Sequence, residues 1–214
     1  MLSLISSSFW HTTLILAILL SPATLSWAED SHQGFPVSRA GQELIGTPAK
    51  QWFLDGWLDG TESTQPTLEN LRGQVVLIRF WTATCPYCAA SLPALSTLAA
   101  QKREQGLVVL GLHHPKPFGT TTSAMTLQKV LKDWQVDIPV GQDSRWQTLK
   151  TYWLDERPRT ATSVTFLIDR KGIIRWIHPG VEYHPDDKQP GHEQCVSDWQ
   201  DLVQAVTLLL QEGS

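Results

Sequence analysis

Apolar runs typical of buried strands alternate along the chain with stretches of helical periodicity. Residues 75–80 and 107–112 are short, continuous apolar runs, which predict two buried strands. Between them, residues 86–105 place Leu92, Leu95, Leu98 and Ala99 on one face of a predicted helix, and Gly106 supplies its C-terminal stop. A strand, a helix and a strand joined by short connections predict a right-handed unit with parallel strands.

The second half of the chain continues this alternation. Leu127, Val130, Leu131 and Trp134 have helical spacing, which predicts a second amphipathic helix before a short strand at 138–140. Apolar runs on both sides of a turn at 169–172 predict an antiparallel hairpin. The remaining predicted elements are an edge strand at 51–57, a helix at 146–153, hairpin strands at 164–168 and 172–177, and a terminal helix carrying Trp199, Leu202, Val203, Val206 and Leu210.

The sequence Cys85-Pro86-Tyr87-Cys88 directly follows the first apolar run and offers the chain's clearest candidate chemistry. Proline is favoured at the first helical position, so a helix beginning at Pro86 would leave Cys85 at its N-terminus, where free N–H groups and the helix dipole stabilise a thiolate. We therefore predict that Cys85 is the nucleophile, with a pKa below the free value of about 8.5. Cys88 lies about one turn further on, within reach of a mixed disulfide at Cys85.

Other uses of such a cysteine pair fit the rest of the chain less well. A zinc site needs further cysteine or histidine ligands at suitable spacing, and the remaining cysteine is Cys195. Covalent haem attachment requires histidine at the position of Ala89. A permanent structural disulfide stays an alternative, but its short loop gains little closure entropy and favours a labile bond. We predict a reversible Cys85–Cys88 disulfide, with no metal and no other cofactor.

The first 28 residues have features of an export signal. Residues 14–20 are a short apolar run, and Ser26-Trp27-Ala28 places small residues where signal peptidase cleaves, so we predict cleavage after Ala28. Residues 1–13 contain no lysine or arginine, so an uncleaved anchor stays an alternative, although a transmembrane helix needs about 20 apolar residues. Disulfides persist outside the cytosol, and a periplasmic or otherwise exported location suits a protein that handles thiols.

Composition limits the remaining function classes. Removing 28 of the 214 residues leaves 186, which is enough for one domain with its own core. Three cysteines are too few for a disulfide scaffold. The net charge of -4, without a block of lysine and arginine, argues against nucleic-acid binding. We expect a monomer.

The cysteine pair and its surroundings resemble a known superfamily. The run Phe80-Trp81-Thr82-Ala83-Thr84-Cys85-Pro86-Tyr87-Cys88, with Pro93 five residues later, resembles the active-site strand, turn and kinked helix of the thioredoxin superfamily. Residues 165–174 resemble its closing hairpin, and residues 71–76 resemble the approach to its active-site strand. From residue 46 to residue 210 the chain is similar to the periplasmic TlpA/ResA-like thiol-disulfide oxidoreductases.

The resemblance implies an α/β protein with a thioredoxin-like fold, in which helices flank a central mixed β-sheet. It implies an exposed Cys85 and a shielded Cys88, surrounded by Arg79, Trp81, Thr82, Thr84, Pro86, Tyr87, Ser163 and Val164. The expected organisation is a signal peptide at 1–28, an extension at 29–45 and a thioredoxin-like domain at 46–214. The expected partners are the thiols and disulfides of other exported proteins and an upstream redox partner, which could be membrane-bound.

Two positions depart from the pattern of the superfamily. Ser163 stands where related proteins usually have a cis-proline facing the cysteines, and we expect a trans peptide there because a cis bond before a non-proline residue costs several kcal/mol. Ser163 would alter substrate docking or leave room for a ligand or a metal at the sulfurs. Arg79 stands where many thioredoxins have a buried acid. Its charge would either favour the thiolate or extend to the surface and pair with a carboxylate.

Three further features have less specific chemistry. His113-His114 follows a predicted strand and is interpreted as part of a loop. His178, His184, Asp186, His192 and Cys195 lack the spacing of a metal motif and are interpreted as a polar surface stretch. We expect Cys195 to be a buried, unreactive thiol, with pairing between chains or a third redox role as alternatives. Trp81 and Trp153 are interpreted as packing residues that could instead border the active site.

Two alternative functions remain open beside thiol-disulfide exchange. Thr82 and Cys85 have the spacing found in a peroxiredoxin-like peroxidase, although Ile78 occupies the position of an expected proline. A non-catalytic copper or other metal chaperone of thioredoxin fold is the second alternative, although such proteins generally space their cysteines one residue wider. We favour the oxidoreductase.

Overall fold

The computed structural model describes residues 41–58, 65–155, 159–180, 182–185 and 189–212. The predicted signal peptide at 1–28, most of the predicted extension and Asp186 lie outside these residues. Within the described part of the chain, no helix combines the length and apolar character needed to span a bilayer.

One mixed sheet lies at the centre of the described residues. Its strands are β1 (Gly56–Trp57), β2 (Val75–Trp81), β3 (Leu107–His113), β4 (Val140–Gln142), β5 (Thr165–Ile168) and β6 (Ile174–His178). Their spatial order is β1-β4-β3-β2-β5-β6. Strands β2, β3 and β4 are parallel, whereas β1, β5 and β6 run antiparallel to their neighbours. The strand that leads to the cysteines, β2, is therefore central and has a partner on each side.

Helices connect these strands and cover the sheet. They are α1 (Pro86–Lys102), α2 (Ala124–Asp133), α3 (Gln147–Leu149), which continues as a π-helical turn over Lys150–Leu154, and α4 (Glu193–Gln211). A 3-10 turn at Arg103–Gln105 follows α1, and the helical path ends at Gly106, whose φ of 94° few side chains tolerate. Ser123 caps α2, because its Oγ accepts the Thr126 N–H at 3.1 Å.

The sheet has buried side chains on both faces. Successive residues of a strand point to opposite sides, so β2 directs Val75, Leu77 and Trp81 to the face covered by α1, α2 and α4. It directs the alternate residues Val76, Ile78 and Phe80 to a second apolar cluster on the other face. Burial on both faces explains why the sequence of β2 is a continuous apolar run instead of an alternating one.

The structure confirms the predicted α/β class, the parallel strand-helix-strand unit and the antiparallel hairpin. Two other strands have different bounds from those predicted. Strand β4 begins at Val140 instead of residue 138, because Pro139 has no N–H to donate. The edge strand predicted at 51–57 is limited to Gly56–Trp57. Both backbone polar groups of Phe53 instead bond to the Thr148 hydroxyl, each at 2.8 Å, which takes this residue out of the sheet.

Candidate active site

The end of β2 leads directly into the helix that carries both cysteines. Residues 82–84 form a short turn, in which the Cys85 N–H donates to the Thr82 carbonyl at 3.2 Å. Cys85 has an extended backbone and is the N-cap of α1, and Pro86 is the first residue of the helix. Strand and turn thus place Cys85 at the N-terminus of a helix, as predicted.

The two cysteines differ in exposure. The Cys85 carbonyl accepts hydrogen bonds from the N–H groups of Cys88 at 3.1 Å and Ala89 at 3.2 Å, so both cysteines belong to the first helical turn. Cys85 is half-buried, whereas Cys88 is 0% exposed. Both are free thiols, and their side chains are hydrogen-bonded to each other. Of this pair, Cys85 is the sulfur that another molecule can reach.

The structure contradicts the predicted low pKa of Cys85. Burial raises the pKa of the Cys85 thiol above its ordinary value, and Cys88 raises it further by charge repulsion and by the hydrogen bond between the side chains. The backbone N–H groups of Cys88 and Tyr87 lower the pKa, as expected at a helix N-terminus. The apolar surroundings outweigh them, because desolvation disfavours the charged thiolate.

Ser163 lies against the buried cysteine. Its Oγ is 3.4 Å from the Cys88 Sγ, and either group can donate this hydrogen bond. The cis peptide bond found among the described residues precedes Pro117, so the bond between Thr162 and Ser163 is trans, as predicted. The carbonyl of buried Val164 accepts a hydrogen bond from β2 at 2.9 Å, which holds this loop beside the sheet. The loop therefore meets Cys88 through a hydroxyl group.

Arg79 is completely buried on the face of the sheet that packs against α1. Its guanidinium donates to Thr165 Oγ1 and to the Gly180 carbonyl, both at 3.1 Å, and lies 5.4 Å from the centre of the Tyr183 ring. The Tyr183 hydroxyl is 2.8 Å from Thr165 Oγ1. The predicted alternative in which Arg79 extends to the surface is wrong, because the central position of β2 encloses its side chain.

Tyr183 connects this buried network to α1. The Tyr183 N–H donates to Ser91 Oγ at 3.0 Å, and Ser91 in turn donates to the Tyr87 carbonyl at 2.8 Å. Burial raises the pKa of Tyr183 to about 12, so its hydroxyl is neutral at pH 7. Ser91, Thr165 and Tyr183 are absent from the predicted site. No motif identifies them, because they become neighbours only when β5 and the segment before α4 pack on α1.

The other predicted neighbours of the cysteines divide between core and surface. Trp81 and Thr82 are buried, and the Trp81 ring lies 4.9 Å from that of His113. The exposed residues next to Cys85 are Thr84, Pro86 and Tyr87. Trp153 belongs to the apolar cluster on the face of the sheet opposite α1, so it packs away from Cys88.

Both His113 and His114 are buried; His113 belongs to β3, which corrects its interpretation as a loop residue, whereas His114 begins the loop that follows. His113 is the last residue of β3, and the His114 N–H donates to the Trp81 carbonyl at 3.0 Å. Burial lowers the pKa of His113 to about 4 and that of His114 to about 3, the second being lowered further by His113, Lys116 and Arg79. Both imidazoles are therefore neutral at pH 7.

Cys195 is half-buried near the start of α4, which corrects the prediction of a buried thiol. Its Sγ lies 3.8 Å from Glu182 Oε1, and His184 Nε2 lies 3.1 Å from Glu182 Oε2. The His192 ring stacks on the His184 ring with 4.2 Å between the centroids. His184, His192 and Cys195, which are interpreted from the sequence as part of a polar surface stretch, thus form one cluster with Glu182.

The chain matches the AhpC/TSA family over residues 45–177. This match covers more than half of the chain and includes both cysteines of the C-x-x-C pair, Ser163 and almost the whole sheet. The protein belongs to the AhpC/TSA family.

Two of the chain's named relatives are thiol-disulfide exchange proteins. The chain is 29% identical over 181 residues to the thiol:disulfide interchange protein DsbE of Tatumella citrea, covering 83% of this chain and 89% of that protein. It is 23% identical over 172 residues to the thiol-disulfide oxidoreductase ResA of Halalkalibacterium halodurans, covering 80% of this chain and 86% of that protein. The predicted resemblance to ResA-like proteins is confirmed.

Solved structures support the same fold. A putative thiol:disulfide interchange protein DsbE from Chlorobium tepidum superposes with a TM-score of 0.56 at 22% identity, covering 76% of this chain and 97% of that one. The predicted thioredoxin-like fold is therefore confirmed. The chain spans 19% of the length of another relative, Protein DipZ of Mycobacterium bovis, to which it is 28% identical over 138 residues.

Proposed function

We propose that this protein is an exported thiol-disulfide oxidoreductase that works through a reversible Cys85–Cys88 disulfide. The observation that carries the proposal is the unequal exposure of the two thiols within one helical turn. Half-buried Cys85 is accessible to a partner sulfur, whereas Cys88 is enclosed beside Cys85 and Ser163. This is the division of labour that two-step thiol exchange requires.

In the reducing direction, the Cys85 thiolate attacks one sulfur of a partner disulfide. A bond forms between Cys85 and that sulfur, the partner's S–S bond breaks, and the leaving sulfur takes up a proton. The Cys88 thiolate then attacks the Cys85 sulfur, which releases the second partner thiol and forms the Cys85–Cys88 disulfide. Two electrons pass to the partner, and an upstream dithiol must return them.

The environment of Cys85 favours this reducing direction. A thiolate that is strongly stabilised makes the dithiol form more stable and the disulfide more oxidising. In this protein, burial and Cys88 raise the pKa of Cys85, which removes that stabilisation. The dithiol therefore gives up its electrons more readily than it would with an acidic Cys85.

The proposed substrates are disulfides of other exported proteins. The exposed side chains beside Cys85 include Pro86 and Tyr87, and Tyr87 is 46% exposed, which offers an apolar contact for an unfolded or extended polypeptide. An exported location is inferred from the predicted signal at 1–28, because stable disulfides are found mainly outside the cytosol. The upstream partner would be another dithiol protein, in solution or in the membrane.

Reduction of insulin by the purified protein, with dithiothreitol as the source of electrons, tests the activity. We expect insulin precipitation well above the rate with dithiothreitol alone, and loss of this acceleration in Cys85→Ala and Cys88→Ala. Cys195→Ser is the matched control and should keep the wild-type rate, because it removes a thiol outside the pair. Equal rates in all variants and in the blank would contradict the proposal. Consumption of hydrogen peroxide faster than reduction of insulin would instead favour a peroxidase.

A further inference from the structure

A second cluster of metal-ligating side chains lies outside the Cys85–Cys88 pair. One ligand atom each from Glu182, His184 and Cys195 lies within 4.8 Å of the others. His184 Nε2 is 3.1 Å from Glu182 Oε2, and Cys195 Sγ is 3.8 Å from Glu182 Oε1. Three different donors, an imidazole nitrogen, a carboxylate and a thiol, therefore converge on one small volume.

Tertiary packing, and not a sequence motif, brings these three residues together. Glu182 and His184 flank Tyr183, which is fully buried and held by hydrogen bonds to Ser91 and Thr165. Cys195 is the third residue of α4. Because Tyr183 is anchored, its two neighbours are held against the first turn of α4, so the donor set does not depend on a free loop closing around a ligand.

The separations suit a tetrahedral cation. With bonds of about 2.0–2.3 Å, ligand atoms of a tetrahedral zinc site lie about 3.3–3.8 Å apart. The contacts of 3.1 Å and 3.8 Å are made to the two different oxygens of Glu182, and one donor atom from each residue lies within 4.8 Å of the others, so small side-chain movements bring the three donors to these distances. Cysteine, histidine and carboxylate are all common zinc ligands, and the thiolate disfavours Mg²⁺ and Ca²⁺, which prefer oxygen donors.

The charges around the cluster also favour a cation. The carboxylates of Glu182 and Asp198 both lie close to the Cys195 side chain. Asp198 is itself hydrogen-bonded to His178 Nε2 at 2.8 Å and to Gln194 Nε2 at 2.6 Å, which fixes it beside α4. These negative charges would attract a divalent cation to the cluster.

We propose that Glu182, His184 and Cys195 form a binding site for Zn²⁺ or a closely similar thiophilic divalent cation. Three protein ligands leave a fourth position for water or for His192, whose ring already stacks on that of His184. The site joins α4 to the segment before it. It is independent of the proposed thiol exchange, because it uses none of the atoms of Cys85 or Cys88.

A titration with Co²⁺, which replaces Zn²⁺ and reports thiolate ligation by a near-ultraviolet charge-transfer band, tests the site. The protein to use is the Cys85→Ser/Cys88→Ser variant, in which Cys195 is the remaining cysteine. We expect one Co²⁺ per chain, displaced by Zn²⁺. Adding Cys195→Ser should abolish the band, and adding Glu182→Gln or His184→Asn should weaken binding at least tenfold. Glu193→Gln, an exposed residue of the same helix, should leave binding unchanged.

A measurement on the wild-type chain keeps the test independent of variant folding. With Cys85–Cys88 oxidised, Zn²⁺ should slow alkylation of Cys195 at least tenfold, and a chelator should restore the rate. Two results would overturn the proposal: a charge-transfer band that persists without Cys195, or alkylation of Cys195 that Zn²⁺ at micromolar concentrations does not change.

Discussion

The side chain of Cys88 has no access to solvent and contacts the hydroxyl of Ser163 at 3.4 Å. When a partner is disulfide-bonded to Cys85, the sulfur of Cys88 is therefore in place to release that partner. Cys85, by contrast, is half-buried at the helix N-terminus and can be reached from outside. The roles proposed for the two residues follow from this difference in exposure.

Replacing Cys88 should trap partners on the protein. We expect Cys88→Ala to accumulate mixed disulfides through Cys85, because the sulfur that would displace the partner is missing. Non-reducing electrophoresis followed by mass mapping would detect them, and Cys85→Ala is the control that should form none. In the reduced wild-type protein, alkylation should be faster at Cys85 than at Cys88. The opposite order of reactivity would reverse the proposed roles.

Replacing Ser163 by proline should change exchange without unfolding the domain. The variant loses the hydroxyl that contacts Cys88 and introduces the ring usual in related proteins, so we expect altered release of a mixed disulfide. We expect the free energy of unfolding to change by no more than about 1–3 kcal/mol. Urea denaturation and the rate of mixed-disulfide resolution are the measurements.

Ser163→Ala separates the hydroxyl from the ring. It removes the hydrogen bond to Cys88 alone, which is worth about 1 kcal/mol, so resolution should slow by about fivefold. If Ser163→Ala reproduces the entire effect of Ser163→Pro, the ring has no influence of its own. Loss of the folded state in Ser163→Pro would show that the loop has diverged from that of its relatives.

At the level of elements, the apolar pattern predicts helices and central strands well and edge strands poorly. Strand β2 is recognisable because burial on both faces leaves a continuous apolar run. In the segment before β1, both backbone groups of Phe53 bond to the Thr148 hydroxyl instead of to a strand. Such a long-range side-chain bond has no local signal, so the length of an edge strand cannot be read from its own residues.

The same distinction applies to the candidate site. Cys85, Pro86 and Cys88 are predictable because their chemistry and geometry arise within one turn of a helix. Thr165 and Tyr183 are not, because they reach Arg79 through pairing of β5 and docking of the segment before α4. The raised pKa of Cys85 also results from tertiary burial, which cannot be predicted from the position of Cys85 at a helix N-terminus.

The end of β3 should make the fold sensitive to acid. Burial lowers the pKa of His113 to about 4 and that of His114 to about 3, compared with 6.5 for exposed histidine. Below pH 6.5 the unfolded chain therefore binds more protons than the folded one, and stability falls as the pH falls. Between pH 7.5 and 5 we expect a loss of about 2 kcal/mol for each histidine.

Urea denaturation at pH 7.5 and pH 5 measures this loss. Replacing His113 and His114 by glutamine removes both titrating groups, so the double variant should lose less stability between the two pH values, whatever its stability at pH 7.5. His178→Gln is a suitable control, because His178 pairs with Asp198 and lies outside this cluster. An unchanged urea midpoint for the wild-type protein between pH 7.5 and pH 5 would contradict the prediction.

For the whole molecule, redox state and folding stability are thermodynamically linked. Folding makes the Cys85–Cys88 disulfide more stable or less stable than it is in the unfolded chain. The disulfide changes the free energy of unfolding by the same amount. Proteins that stabilise a thiolate, and thereby the reduced form, have strongly oxidising disulfides and lose stability on oxidation. In this chain the pKa of Cys85 is raised, so the thiolate is not stabilised and the oxidised form should be the more stable one.

We therefore expect a reducing potential and a more stable oxidised form. The potential, measured by equilibration with glutathione, should be well below about -120 mV, the value of a strongly oxidising disulfide whose reduced form is stabilised. The oxidised protein should also unfold at a higher temperature than the reduced one, and Cys195→Ser should preserve this difference because Cys195 lies outside the pair. A potential near -120 mV together with a more stable reduced form would mean that the folded protein does stabilise the Cys85 thiolate, and the proposed direction of electron flow would then be reversed.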